Sequence, residues 1–189
     1  MPAILVSRRE LVKGLTAFPA SLGSCAAPGA TTRTGARSSD DAAVSHSSES
    51  IHQEVHFNAS RERLYGALTD PRKFDALTRL SDAVTLVTAP DARPTAISSE
   101  VGGPFTLFGG YVTGRHLEMQ PNERLVQAWR AGSWPAGAYS IASFALVSDK
   151  SGCRIVFDHR GFPDGQGSNL SYGWRVHYWE PLAKLVAKG

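Results

Sequence analysis

The sequence has few of the residues from which reactive centres are commonly built. Its 189 residues contain two cysteines, Cys25 and Cys153, and two methionines. No group of His, Cys, Asp and Glu has the spacing of a zinc site, so no metal and no cofactor are expected. There is no Gly-x-Ser-x-Gly elbow, phosphate loop or dinucleotide fingerprint; Gly102-Gly103 and Gly109-Gly110 read as turn glycines. A nucleophile, a base and oxyanion donors cannot be assembled from what remains, so no catalytic residue is assigned. Internal repeats and long apolar runs are also missing. The 20 basic and 17 acidic residues leave a net charge of +3. The basic residues are scattered rather than focused on one face, which argues against a nucleic-acid partner.

What is present begins with an address. Ser7-Arg8-Arg9-Glu10-Leu11-Val12-Lys13 precedes a weakly apolar stretch ending in Leu22-Gly23-Ser24-Cys25. An arginine pair before a short apolar segment resembles a twin-arginine export signal. That segment is too short to span a bilayer, and Pro19 with its glycines would make a poor transmembrane helix. Leu22 to Cys25 resembles a lipobox, with Cys25 as the lipidation site and membrane tether. Cleavage near Ala26 or Ala27 is the competing reading. Residues 1–25 are therefore expected to be a signal peptide. The mature protein is expected outside the cytoplasm, periplasmic or anchored on the extracytoplasmic side of a bacterial membrane. With Cys25 lipidated or removed, Cys153 stands alone and no internal disulfide forms.

Residues 26–50 are almost wholly Ala, Gly, Ser, Thr, Asp and Arg, with no aromatic residue. Such a segment cannot bury enough apolar surface to offset the entropy of ordering, so it reads as a disordered linker. Residues 51–189 carry all four tryptophans and all five tyrosines. That length fits one domain with its own core.

Within the domain, Ile51, Val55 and Phe57 share one face of a strand, with His56 on the other. Ser60 and Asp70 are helix N-caps, the second followed by Pro71, and each predicts a short helix. Strand signals follow at Ala96 to Val101, Phe105 to Phe108, Tyr111 to Met119, Arg124 to Arg130, Ala138 to Val147 and Cys153 to Gly161, divided by turns. In the last of these, Ile155, Phe157 and His159 share a face. From Ser168 the apolar period changes to three or four, and Leu170, Trp174, Tyr178, Leu182 and Leu185 mark one amphipathic helix of about twenty residues. Pro181 removes a backbone donor and predicts a bend near Tyr178. A sheet with an apolar face needs a cover, and this helix is the element able to supply it. The expected class is α+β: a curved antiparallel sheet of six or seven strands wrapped around a long C-terminal helix.

Three passages narrow that expectation. Gly103-Pro104-Phe105-Thr106-Leu107-Phe108-Gly109-Gly110-Tyr111-Val112-Thr113-Gly114, then Leu125-Val126-Gln127-Ala128-Trp129-Arg130, then Gly173-Trp174 with Tyr178, Pro181, Leu182 and Leu185 resemble the START-like (SRPBCC) superfamily. More closely, they resemble the family named for activators of the Hsp-90 chaperone ATPase. The resemblance covers about Ile51 to Ala187 and implies the helix-grip fold. The family includes chaperone activators, stress proteins and presumed binders of apolar ligands. Its chaperone activators carry a separate N-terminal docking domain and act in the cytosol, where this chain is expected to carry an export signal and a tether.

The resemblance implies a cavity between sheet and helix, mostly apolar with a few polar groups. Phe105, Tyr111, Trp129, Phe144, Phe157, His159, Trp174 and Tyr178 are the candidate ligand-binding residues. Aromatic residues fill cores in any case, and most of these are expected to do so. Asp158 and His159 face opposite sides of a strand and cannot form one acid-base pair. The leading expectation is a non-enzymatic exported domain that binds a small hydrophobic ligand. The alternatives are an Hsp-90-type co-factor acting through protein contacts and a cyclase- or hydrolase-like enzyme using His159 or His177.

Overall fold

Seven strands form one antiparallel sheet in the order β1-β7-β6-β5-β4-β3-β2. The strands are β1 (Ser50–Phe57), β2 (Ala96–Ile97), β3 (Pro104–Leu107), β4 (Val112–Gln120), β5 (Arg124–Ala131), β6 (Ser140–Asp149) and β7 (Gly152–Arg160). This is a computed structural model, and it describes residues 49–187. The arginine pair, Cys25 and residues 26–48 lie outside the described residues. From β2 to β7 the chain meanders, and β1 is added beside β7.

Two capped helices follow β1. In α1 (Arg61–Thr69) the Ser60 hydroxyl accepts from the Arg63 amide at 3.3 Å. In α2 (Pro71–Thr78) the Asp70 carboxylate accepts from the Arg72 and Lys73 amides at 2.8 and 3.1 Å. Both caps fall where the sequence put them, because each side chain satisfies amides that the first turn leaves open. A four-residue helix, α3 (Val84–Val87), was not expected and is too short to show a period.

The expected strand Ala96 to Val101 stops at Ile97. Ser98 explains the stop: its hydroxyl accepts the Glu100 amide at 3.2 Å, and the Gly103 amide bonds back to the Glu100 carbonyl at 3.0 Å. A side chain that supplies a local turn partner competes with the ladder.

The C-terminal helical rod comprises α4 (Gly167–Trp174), a π-helical turn (Arg175–Trp179) and α5 (Glu180–Ala187). The Glu180 amide reaches back five residues to the Arg175 carbonyl. Pro181 has no amide with which to continue the normal ladder, and the turn before it widens. The expected disturbance near Tyr178 thus takes the form of a π turn.

Alternation along the strands sends one row of side chains under this rod. Cys153, Ile155, Phe157 and His159 of β7 are buried, as are Ala142, Phe144 and Leu146 of β6 and Leu125, Gln127 and Trp129 of β5. Gly114 of β4 is required here. A Cβ at this position would collide with the Phe105 ring and the Ala128 carbonyl, so glycine lets the ring approach the strand closely.

Candidate functional site

The residues beneath the rod form a continuous aromatic cluster. Trp174 is its hub, with ring centroids 4.1 Å from Tyr178, 4.3 Å from Phe157, 5.7 Å from Phe144 and 5.7 Å from Trp129. Six sequence-predicted residues are therefore brought together: Trp129, Phe144, Phe157, His159, Trp174 and Tyr178. Phe105 is buried to one side, 5.3 Å from the His116 ring. Tyr111 stands apart and half-buried, its hydroxyl 3.2 Å from the Ser133 hydroxyl.

His159 is fully buried, and both its ring nitrogens are engaged. The Trp174 indole N–H donates to Nδ1 at 2.9 Å. An indole can only donate, so Nδ1 carries no proton and the neutral ring has its hydrogen on Nε2. That N–H donates to the Ser140 hydroxyl at 2.6 Å, and the Ser140 hydroxyl donates to the Trp129 carbonyl at 3.0 Å. Loss of hydration drives the His159 pKa down to about 3. A neutral ring with both nitrogens occupied has no position from which to move a proton for a substrate. Its role is to tie β6, β7 and the rod together.

Gln53 does similar work at the sheet edge. Its amide N–H donates to the Ser171 carbonyl at 3.2 Å and hydroxyl at 3.0 Å, and its carbonyl accepts from the Trp179 indole at 2.5 Å. Sequence reasoning missed this residue and Trp179. The available signal was parity, because position 53 lies on the same face as Ile51, Val55 and Phe57.

Other polar atoms are buried with no partner: the Trp129 indole N–H, the Tyr178 hydroxyl, Nδ1 of His177 and both ring nitrogens of His116. The Tyr178 hydroxyl and Trp129 indole face one another, and that dipole works to lower the phenol pKa against the larger, raising effect of burial. They do not reach hydrogen-bond geometry. The His116 ring faces the Ser98 backbone in the same incomplete way. Burial lowers the pKa of His116 and His177; for His177 the Asp82 charge opposes this. Asp82 is exposed on the turn after α2, and no short contact joins it to the His177 ring.

Two features mark this corner further. Tyr178 and His177 both belong to the π turn, the segment of the rod where the regular ladder is interrupted. Below them lies Phe108, whose φ of 52° is rare for a residue with a side chain. Its ring sits 5.3 Å from Tyr178, 5.2 Å from Phe74 and 6.4 Å from His177. Backbone strain of this kind persists only where packing holds it.

A surface cleft between β1 and α4 contains His52, Gln53, Ser171, Tyr172 and Arg175, and none of the sequence-predicted residues. Among the described residues no His, Cys, Asp and Glu group could hold a metal ion, and no helix is long and apolar enough to cross a membrane.

A curved antiparallel sheet gripping one C-terminal helical rod defines the START-like class. The fold matches an Hsp90 activator from Plasmodium falciparum, with a TM-score of 0.62 and 20% identity, over 73% of this chain and 96% of that one. It also matches CalU16 from Micromonospora echinospora, with a TM-score of 0.52 and 20% identity, over 73% and 74% of the two chains. The chain belongs to the family described as "Activator of Hsp90 ATPase homolog 1-like protein", whose profile covers residues 58–187. The activator of 90 kDa heat shock protein ATPase homolog 1 of Mus musculus is 26% identical over 122 residues, 65% of this chain and 35% of that protein. An uncharacterized protein of Schizosaccharomyces pombe is 28% identical over 163 residues, 85% of this chain and 45% of that protein. The chain thus matches less than half the length of these relatives.

Proposed function

We propose that this domain is a non-catalytic binding module that holds a small, largely apolar ligand between the sheet and the C-terminal rod. The observation that carries this reading is the corner formed by Trp129, His177 and Tyr178. Three polar atoms there are buried without partners in a wall otherwise made of aromatic rings. Native structures rarely leave such atoms unpaired. A molecule seated at the π turn would meet both the rings and the open hydrogen-bonding groups. The engaged nitrogens of His159 argue against the cyclase- or hydrolase-like alternative at that residue. Native mass spectrometry of the full chain, before and after delipidation, tests the reading. A co-purifying or exchangeable apolar molecule of defined mass is expected; a chain that never carries or takes up one overturns it.

Export belongs to the same reading. It rests on Arg8, Arg9 and the Leu22 to Cys25 passage, with Cys25 as a lipid tether or lost with the signal. Intact masses of the membrane-associated and soluble forms distinguish these two outcomes. A second reading, a co-factor acting on a chaperone ATPase through protein contacts, is favoured by family membership and by the names of the relatives. It requires cytosolic residence, so fractionation of the tagged full-length chain separates it from the first.

A further inference from the structure

We propose that the ligand is electrically neutral and presents a hydroxyl or carbonyl oxygen to the Trp129 indole N–H and the Tyr178 hydroxyl. This rests on the binding reading above and specifies the chemistry of that site. Most of the hydrogen-bonding capacity under the rod is already used. His159 is engaged by Trp174 and Ser140, the Ser140 hydroxyl by the Trp129 carbonyl, and Gln53 by Ser171 and Trp179. Next to the π turn the open capacity lies on Trp129, Tyr178 and His177. The indole can only donate, so the group it meets must accept. The phenol can donate or accept, which suits an oxygen with or without its own hydrogen.

The buried polar residues among those described are Thr78, His116, Gln127, Ser140, Ser143 and His159, with no Asp, Glu, Lys or Arg. A carboxylate or ammonium placed here would lose its hydration with no opposite charge to meet it. An apolar body, by contrast, would match the surroundings of Tyr178, whose neighbours are the rings of Phe74, Phe108 and Trp174 at 5.8, 5.3 and 4.1 Å. The π turn and the strained Phe108 put the least regular backbone of the rod and of the sheet side at this same corner.

Three probes of one shape test the proposal on the full-length chain: naphthalene, naphthol and naphthoate, titrated at neutral pH against tryptophan fluorescence. Naphthol is expected to bind about tenfold more tightly than either of the others, as one good hydrogen bond would give. Tyr178→Phe should bring naphthol affinity close to that of naphthalene, with a cooperative denaturant transition showing that the variant is folded. If it does not fold, Trp129→Phe, which removes the other donor, is titrated instead; the same loss of the naphthol preference is expected, and an unchanged preference overturns the assignment. Naphthol binding no better than naphthalene, or naphthoate binding best, overturns the assignment of ligand class but not the binding reading. Failure of all three overturns both.

Discussion

The two faces of β7 and its neighbours use histidine in opposite ways. On the inner face, His159 has lost its water and is held neutral by an indole and a hydroxyl. On the outer face of the same pair of strands, His52 lies in solvent, with Nδ1 2.8 Å from the Asp158 carboxylate and Nε2 3.6 Å from that of Glu54. Glu54 is in turn bound by Arg154, and His56 lies 2.9 Å from Asp149. Adjacent residues make the contrast sharpest: Asp158 and His159 are neighbours in the chain, yet one faces water and the other the rod. Residue type therefore says little about role here. The face, which period-2 alternation assigns, decides whether an imidazole is a fixed structural link or part of a solvated ion network.

The comparison can be tested first by its hub. Trp174→Ala removes the ring that touches Phe144, Phe157, Trp129 and Tyr178 and deprives His159 of its donor. A loss of roughly 3–5 kcal/mol is expected, read as a shift in the denaturant midpoint at unchanged slope. A loss close to zero would mean that the inner face is not a packed interior, and the contrast with the outer face would fail.

A smaller effect is expected from acid. His159 has its ordinary value of 6.5 when unfolded and about 3 when folded. Between these values the unfolded chain binds more protons than the folded one, so stability rises with pH. The stabilisation is fully present above about 6.5 and is lost as pH falls toward about 3, by up to roughly 1.4 kcal/mol per pH unit. The lowered values of His116 and His177 act in the same direction. Chemical denaturation across this range should show His159→Phe with a shallower acid slope than the parent. It should also be destabilised by about 1–3 kcal/mol at neutral pH, because Ser140 and the Trp174 indole lose their partner. An unchanged slope would place the acid sensitivity elsewhere.

How much was legible beforehand follows from the same distinction. The seven strands, the two caps and the closing rod could be read because alternation, Ser60, Asp70 and the change of period after Ser168 are local signals. The shared face of Ile155, Phe157 and His159 was legible for the same reason. The partners of His159 were not, since Ser140 and Trp174 reach it through strand register and helix docking, 19 and 15 residues away. Gln53 lies 126 residues from Trp179, and no pattern in a single chain links them. The early end of β2 was missed because the Ser98 hydroxyl outcompetes the ladder, while the side chain alone suits a strand end or a turn equally well. Tyr111 was grouped with the interior on aromatic character, and the 3₁₀ turn Phe108–Gly110 before it carries its ring toward Ser133 instead.

The smallest expected effect belongs to the outer face. The hydrogen bond that His52 donates to the Asp158 carboxylate is the main cause of its raised pKa, with the charges of Asp158 and Glu54 adding to it. Here the folded chain holds the proton more tightly, so the sign reverses. The contribution is present below the unfolded value of 6.5 and is lost as pH rises through the folded value. His52 is exposed, and water and salt screen most of this interaction. Thermal melts of His52→Asn against the parent should coincide above that range and separate only slightly below it, with the gap closing as salt is added. The acid slope due to His159 should persist in the same salt, because no solvent reaches that ring. If salt weakened both equally, the two faces of the sheet would share one electrostatic environment, and the division of labour between His52 and His159 would have no physical basis.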